Sequence, residues 1–285
     1  MSHIESQHLT LGFSPCPNDT FIFDALVHGK VDTEGLTFDY QFHDVEVLNR
    51  MAFESELDFT KLSYHAFAHL TSSYILLDAG SALGRGCGPL FISREKELGS
   101  DLSYISVAIP GKLTTANFLF SLAFPNIDKK VEMLFSDIED AILKGEVKAG
   151  VIIHENRFTY EKRGLHKILD LGQYWEGTTN LPIPLGGMVV KRGLPQDTME
   201  KINRIMKRSV EYALNDPKSS LEFVRAHSQE LDEQVLKSHI EMYVNDFTVD
   251  LGAEGRLAIK TLFEKAQKLN IIPKFEEVLT VNDLS

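Results

Sequence analysis

The feature that most constrains this chain is a repeated alternation of strand-like and helix-like segments. Residues 9–14 (Leu-Thr-Leu-Gly-Phe-Ser) read as a strand closed by Pro15-Cys16-Pro17. Asn18 or Asp19 is expected to cap a helix that places Phe21, Ile22, Ala25 and Leu26 on one face, with Gly29 ending it. Leu36, Phe38, Tyr40 and Phe42 recur with period two, the mark of a second strand. Asp44 then caps a helix carrying Val45, Leu48 and Met51, and a third strand near Leu57 to Leu62 runs into Ser63 and a short helix. Parallel strands need a crossover, and a helix supplies one. The alternation therefore specifies an α/β fold with a mostly parallel sheet.

The middle of the chain follows the same logic. Residues 104–109 read as a strand, Pro110-Gly111 as a turn, and a helix begins near Thr114. Ser136 and Glu139 have capping-box spacing, and Gly145 closes the helix after them. Ala149 to Ile153 is a continuous apolar run, as in strands buried on both faces. Beyond residue 192 the pattern turns helical: Met199, Ile202, Ile205, Met206 and Tyr212 mark one helix, and Leu231 to Phe247 and Arg256 to Leu269 two more. No sequence repeat or low-complexity linker separates these parts.

Two apolar segments, Pro89 to Ser93 and Gly187 to Lys191, flank the middle block. A chain that leaves one lobe, builds a second and returns would cross at such a pair. Residues 1–92 with 188–285 are thus expected to form a discontinuous lobe I, and 93–187 an inserted lobe II, with a ligand cleft between them. A length of 285 residues suits two domains. With 29 basic against 41 acidic residues the net charge is −12, and the basic residues are scattered. Nucleic acid and anionic membrane are therefore not expected partners. Two cysteines, Cys16 and Cys87, are too few for a disulfide framework and suit a reducing compartment. The N-terminus lacks a basic start and an apolar core, and no apolar run reaches the ~18 residues of a membrane span. A cytoplasmic protein is expected.

Ligands of open α/β sheets bind outside the carboxyl ends of the strands. That rule selects Ser14 through Asn18, then Lys61-Leu62-Ser63, then Thr114-Thr115-Ala116, and His154. The turn from Gly111 to Thr115 opens a helix, whose free N–H groups either hold an anion or are simply capped by threonine. His154 ends the apolar strand and reads either as a general base or as a hydrogen-bonded strand-end histidine. Glu155 points to the opposite face, so any group orienting the imidazole must come from another segment.

Other features carry less. His65 and His69 have i, i+4 spacing but lack the glutamate of a zincin helix, and read as a helix face. Gly84, Gly86 and Gly88 precede a strand rather than a helix, which fits a tight loop and not a dinucleotide motif. Cys16 sits near a helix start with no base close in sequence, so no nucleophilic role is expected. Trp175 falls in a loop-like stretch, 172–187, and reads as packing.

Taken together, several segments carry a specific resemblance. They are Ser14-Pro15-Cys16-Pro17-Asn18-Asp19-Thr20-Phe21, Lys61-Leu62-Ser63-Tyr64, Gly84-Arg85-Gly86 with Gly88-Pro89-Leu90, and Thr114-Thr115-Ala116. To these add Gly150-Val151-Ile152-Ile153-His154-Glu155 with Arg157-Phe158-Thr159-Tyr160, and Leu181-Pro182 with Pro184-Leu185-Gly186. In this order they resemble the 1,4-dihydroxy-6-naphthoate synthases of the futalosine route to menaquinone, from about residue 9 to about 270. Val151, Asn156 and Cys87 depart from the family pattern.

The resemblance implies a two-lobed α/β fold of the periplasmic-binding-protein type (type II), used for catalysis in the cytoplasm. It implies a spiro bicyclic carboxylate substrate, cyclic dehypoxanthine futalosine, cleaved to 1,4-dihydroxy-6-naphthoate and a small hydroxyketone without metal or organic cofactor. His154 falls on the family's proton acceptor, and Lys61, Leu62, Ser63, Thr115 and Ala116 on its substrate contacts. N–H groups and hydroxyls at Ser63 and Thr115 would hold substrate oxygens, and the carboxylate would sit near Ser14 to Asn18 or near Thr115. Two rivals share the fold: a non-catalytic solute-binding protein, and chorismate dehydratase of the same pathway.

Overall fold

The computed structural model describes residues 7–154, 156–228, 232–276 and 278–284. The chain begins with β1 (Gln7–Phe13), α1 (Pro17–Val27), β2 (Leu36–Phe42), α2 (Val45–Phe53), β3 (Phe59–Ser63) and α3 (Tyr64–Leu70), followed by the short β4 (Tyr74–Leu76) and β5 (Ala82–Gly84). It continues through β6 (Leu90–Ser93), β7 (Val107–Ile109), α4 (Thr115–Ala123), β8 (Lys130–Glu132), α5 (Ile138–Lys144), β9 (Ala149–Ile152), α6 (Asn156–Thr159), β10 (His166–Asp170) and α7 (Leu171–Thr179). The last strand is β11 (Ile183–Lys191), and helices α8 (Gln196–Asn215), α9 (Leu221–His227), α10 (Glu233–Tyr243), α11 (Asp246–Val249) and α12 (Gly252–Lys268) follow it.

These strands make two sheets. The first runs β2-β1-β3-β11-β4, with β5 also on β11, and the second runs β8-β7-β9-β6-β10. The plan is the same in both. Three strands are parallel, β1 between β2 and β3 in one sheet, β7 between β8 and β9 in the other. An antiparallel strand closes each, β11 on β3 and β6 on β9. The expected mostly parallel sheet is thus a mixed one. The repetition lies in topology rather than in sequence: β1 has seven residues where its counterpart β7 has three.

Strand pairing puts β6 in the second sheet and β11, from Ile183, in the first. The connections between sheets are therefore 85–89 and 171–182, ahead of the expected boundaries at 92/93 and 187/188. They touch each other: a Cβ on Gly88 would lie 2.3 Å from both Cα and N of Gly172. Nothing larger than hydrogen fits between two backbones at that distance. Gly88→Ala is expected to cost up to about 3 kcal/mol, read as a fall in the urea midpoint. An unchanged midpoint would contradict this packing.

Several local expectations are corrected. The N-cap of α1 is Cys16, in an extended conformation with Pro17 as the first helical residue, so Asn18 and Asp19 lie inside the first turn. That helix is buried on nearly every side rather than along one face, from Pro17 to Leu26. The Ser136–Glu139 capping box does not form: Phe135–Asp137 make a 3₁₀ turn that runs into α5, and Glu139 instead receives Arg163 at 2.8 Å. The strand foreseen over 104–109 contracts to β7. Trp175 sits within α7, buried, its Nε1–H donating to the Pro182 carbonyl at 3.0 Å. The helix foreseen over 231–247 is broken at Asn245, which caps α11, and α12 starts at Gly252 instead of Arg256. Leu231 lies outside the described residues, as does Glu155. No helix of the described residues is long and apolar enough to cross a membrane.

Candidate active site

The parallel strands of both sheets end toward one cavity, so the loops after β1, β3, β7 and β9 meet there. After β1, the first turn of α1 carries Asp19, which is completely buried. A carboxylate in that position must be paired. It accepts from the Ser14 hydroxyl at 2.6 Å, the Ser14 N–H at 3.2 Å and the Asn18 amide at 2.8 Å, and it forms an ion pair with Lys61 of β3. Lys61 is itself only 6% exposed, so this pair is a desolvated one. The Asn18 oxygen in turn faces Nε2 of His239 at 2.9 Å. Since the Asn18 nitrogen is committed to Asp19, its oxygen accepts and His239 donates.

Ser63 ends β3 and caps α3, its oxygen accepting from Ala66 N–H at 3.3 Å. Its hydroxyl donates across the cleft to the Leu113 carbonyl at 2.5 Å. Thr114 caps α4 by accepting from Asn117 N–H at 3.2 Å, and Thr115 donates its hydroxyl to the Leu185 carbonyl of β11 at 2.8 Å. Glu46 of α2 accepts from Leu113 N–H at 3.3 Å, and Arg50 pairs with Glu132. These contacts join the two halves, so the cleft is closed. The first-turn N–H groups of α4, at Thr115 and Ala116, have no acceptor within their helix and lie at the positive end of its dipole.

His154 follows β9 with a φ of +57°, a left-handed conformation unusual for a residue with a side chain. Its ring meets Phe135 edge-on at 4.8 Å and lies parallel to His239, centroids 6.2 Å apart. Sγ of Cys16 stands 3.4 Å from its Nδ1. Burial pushes the imidazole down to about 3, with the nearby Lys61 charge adding to the effect. The ring is neutral at pH 7.

The enclosed space, about 630 Å³ with its mouth included, is lined by Asn18, Lys61, Ser63, Thr114, Thr115, Ala116 and His154 among others. Of the expected substrate and cleft residues, Leu62 and Ser14 do not line it, nor do Pro15, Cys16 and Pro17 between Ser14 and Asn18. Leu62 is wholly buried in the apolar core, leaving its main chain as what it can offer. Ser14 lines a neighbouring cavity and serves Asp19.

The structure adds residues that sequence reasoning passed over: Asp19, His239, the Cys16 contact, and Cys87, Leu185, Gly186 and Tyr243 in the cavity wall. Asp19 carried a signal, one of two acids, with Asp24, in a helix rich in apolar residues. His239 carried one too, a polar residue on the stripe Val235, Leu236 and Tyr243 of α10. His65 and His69 lie on α3 with ring centroids 5.4 Å apart. Among the described residues, no group of three or more His, Cys, Asp or Glu is arranged to hold a metal ion.

Four imidazoles are depressed, each chiefly by burial: His154 to about 3, His65 to about 4, His239 well below the ordinary range, and His69 below it. Below pH 6.5 the unfolded chain binds protons that the folded chain refuses. Their contribution to stability is therefore complete above about pH 6.5 and declines as the pH falls below it, by at most ~1.4 kcal/mol per pH unit for each group. Urea midpoints are expected to drop between pH 6.5 and 4. A midpoint independent of pH over that window would refute the burial of these rings.

Two α/β halves closing on a cavity that His154 lines define a binding-protein-like architecture. The sequence pattern of a family described as "Menaquinone biosynthesis" matches residues 9–268, and the chain belongs to that family. It is 46% identical over 259 residues to the 1,4-dihydroxy-6-naphthoate synthase of Thermus thermophilus, covering 91% of this chain and 94% of that one. It is 43% identical over 270 residues to the synthase of the same name from Streptomyces coelicolor, covering 93% and 95%. The solved structure of protein AF1704 from Archaeoglobus fulgidus superposes with a TM-score of 0.89 at 36% identity, over 95% of this chain and all of that one. The alkanesulfonate-binding protein SsuA of Xanthomonas axonopodis pv. citri superposes with a TM-score of 0.70 at 13% identity, over 98% of each chain. That likeness is one of fold, and the fold is periplasmic-binding-protein-like, as the resemblance implied. The named relatives favour a synthase over a solute-binding protein or a chorismate dehydratase.

Proposed function

We propose that this protein is a cytoplasmic carbon–carbon lyase that converts cyclic dehypoxanthine futalosine to 1,4-dihydroxy-6-naphthoate. Its working site would be the closed cleft between lobes built on the two sheets. The observation that carries this reading is a neutral, desolvated His154 facing a cavity that also presents Lys61 and the start of α4. The two free cysteines accord with a reducing compartment.

The chemistry follows from those groups. His154 accepts a substrate proton, electrons flow toward a carbonyl as the carbon–carbon bond breaks, and aromatisation of the new ring drives the step. One placed base contributes typically about 10²–10⁴-fold. The Lys61 ammonium and the N–H groups of Thr115 and Ala116 are the donors for the developing oxyanion and the carboxylate. The hydroxyls of Ser63 and Thr115 were expected to share that work. Both already donate to main-chain carbonyls, so their part here is to hold the cleft shut and to shape it. Leu62 would contribute its main chain, Ala116 its N–H, and Asn18 and Thr114 the cavity wall.

Cyclic dehypoxanthine futalosine and chorismate, offered side by side to the purified protein, test this assignment. Loss of the first, with a naphthoate product, is expected. Loss of chorismate alone would overturn it.

A further inference from the structure

A base held by no second group turns freely in its pocket, and enzymes ordinarily supply an orienting partner. Among the described residues, the polar side chain against the His154 ring is Cys16. Its sulfur is 3.4 Å from Nδ1 and 3.8 Å from Nε2, within reach of both ring nitrogens and nearer to Nδ1. Phe135 offers the ring only an apolar edge, and His239 lies parallel to it with Nε2 given to Asn18. Neither offers the ring nitrogens a hydrogen-bonding partner; among the described residues Cys16 is the side chain within their reach.

The thiol is itself firmly aimed. Pro17 restricts Cys16 to an extended backbone, observed at φ −61° and ψ 148°. The Cys16 carbonyl accepts from the N–H groups of Asp19 and Thr20, both at 3.0 Å, and its N–H reaches the Ser14 hydroxyl at 3.4 Å. Cys16 belongs to the first sheet's half and His154 to the second's, so the contact spans the cleft. Cys16 does not line the main cavity. It lines a second one, of about 460 Å³, together with Ser14, Asp44 and Phe135. It therefore backs the imidazole from the side away from the substrate space.

We propose that Cys16 is a positioning residue for the reaction, orienting the His154 imidazole across the closed cleft. This rests on the reading of His154 as the base. The motif Pro-Cys-Pro-Asn-Asp then has two tasks: Asp19 secures Lys61, and Cys16 secures the base.

The test compares wild type with Cys16→Val, Cys16→Ala and Cys16→Ser. Valine keeps most of the volume and removes the sulfur's hydrogen-bonding capacity; serine restores a polar group. Cys16→Val and Cys16→Ala are expected to lower kcat about five- to tenfold, the scale of one hydrogen bond, with KM within about twofold and Cys16→Ser recovering part of the loss. Ring-nitrogen NMR signals of His154 should shift in Cys16→Val while those of His65 stay in place. A Cys16→Val protein with wild-type kcat and an unmoved His154 signal overturns the proposal. An active His154→Ala protein would instead overturn the assignment of the base, so the two failures are distinct.

Discussion

Replacing His154 with alanine is expected to lower kcat on cyclic dehypoxanthine futalosine by about 10²–10⁴-fold while changing KM little. The split follows from the geometry. On the proposed reading binding would rest on Lys61 and on the first turn of α4, and neither depends on the imidazole for its position: Lys61 is anchored by Asp19, and α4 is capped by Thr114. The variant should also fold. The ring makes apolar contact with Phe135 and a sulfur contact with Cys16, and its removal leaves no buried charge behind. Acid sensitivity should decrease as well, because one of the four depressed imidazoles is gone. Steady-state kinetics with urea titrations at pH 7 and pH 5 checks each part. A kcat within a few-fold of wild type would remove His154 from the mechanism.

The second large effect concerns Asp19. Asp19→Ala strips the counter-charge from a lysine that is 6% exposed and leaves the Ser14 and Asn18 donors without their acceptor. Breaking one side of a buried ion pair typically costs about 3–5 kcal/mol, and a loss of that size is expected in denaturant unfolding. Activity should fall with it, since Lys61 can stay buried only by giving up its proton or by moving. The double variant Asp19→Ala, Lys61→Met separates the two consequences. With both charges absent, most of the stability should return, while turnover should not, because the substrate's oxygens have lost their ammonium. If the double variant were as unstable as Asp19→Ala alone, Asp19 would be acting through its hydrogen bonds to Ser14 and Asn18 rather than through Lys61.

The strands and the places where they end were readable because periodicity is a local property. Ser63, Thr114 and His154 each end or follow a strand-like segment, and the rule of carboxyl ends gathers them into one cavity. Caps were less readable where two candidates stood close together. Asn18 and Asp19 are good capping residues, yet Pro17 already sets the helix start one residue earlier, which releases both side chains for the Lys61 network. Ser136 and Glu139 have capping-box spacing, but Arg163 from the following segment claims the glutamate. What could not be read is pairing across distance. Cys16 and His154 are 138 residues apart, and Asn18 and His239 are 221 apart. No local pattern encodes either contact; each depends on how the two sheets close. Net charge misleads in the same way. At −12 the chain repels an anion at long range, while the cavity itself presents Lys61 and a helix N-terminus.

The central claim, that this cleft transforms its ligand rather than merely holding it, is tested most directly by a single-turnover incubation. Excess purified protein is mixed with cyclic dehypoxanthine futalosine, and the quenched mixture is resolved by chromatography. Conversion of the substrate to 1,4-dihydroxy-6-naphthoate and a small hydroxyketone in equal amounts is the predicted result. Recovery of intact substrate from a protein that it nonetheless stabilises against unfolding would contradict the account and leave a binding protein in its place.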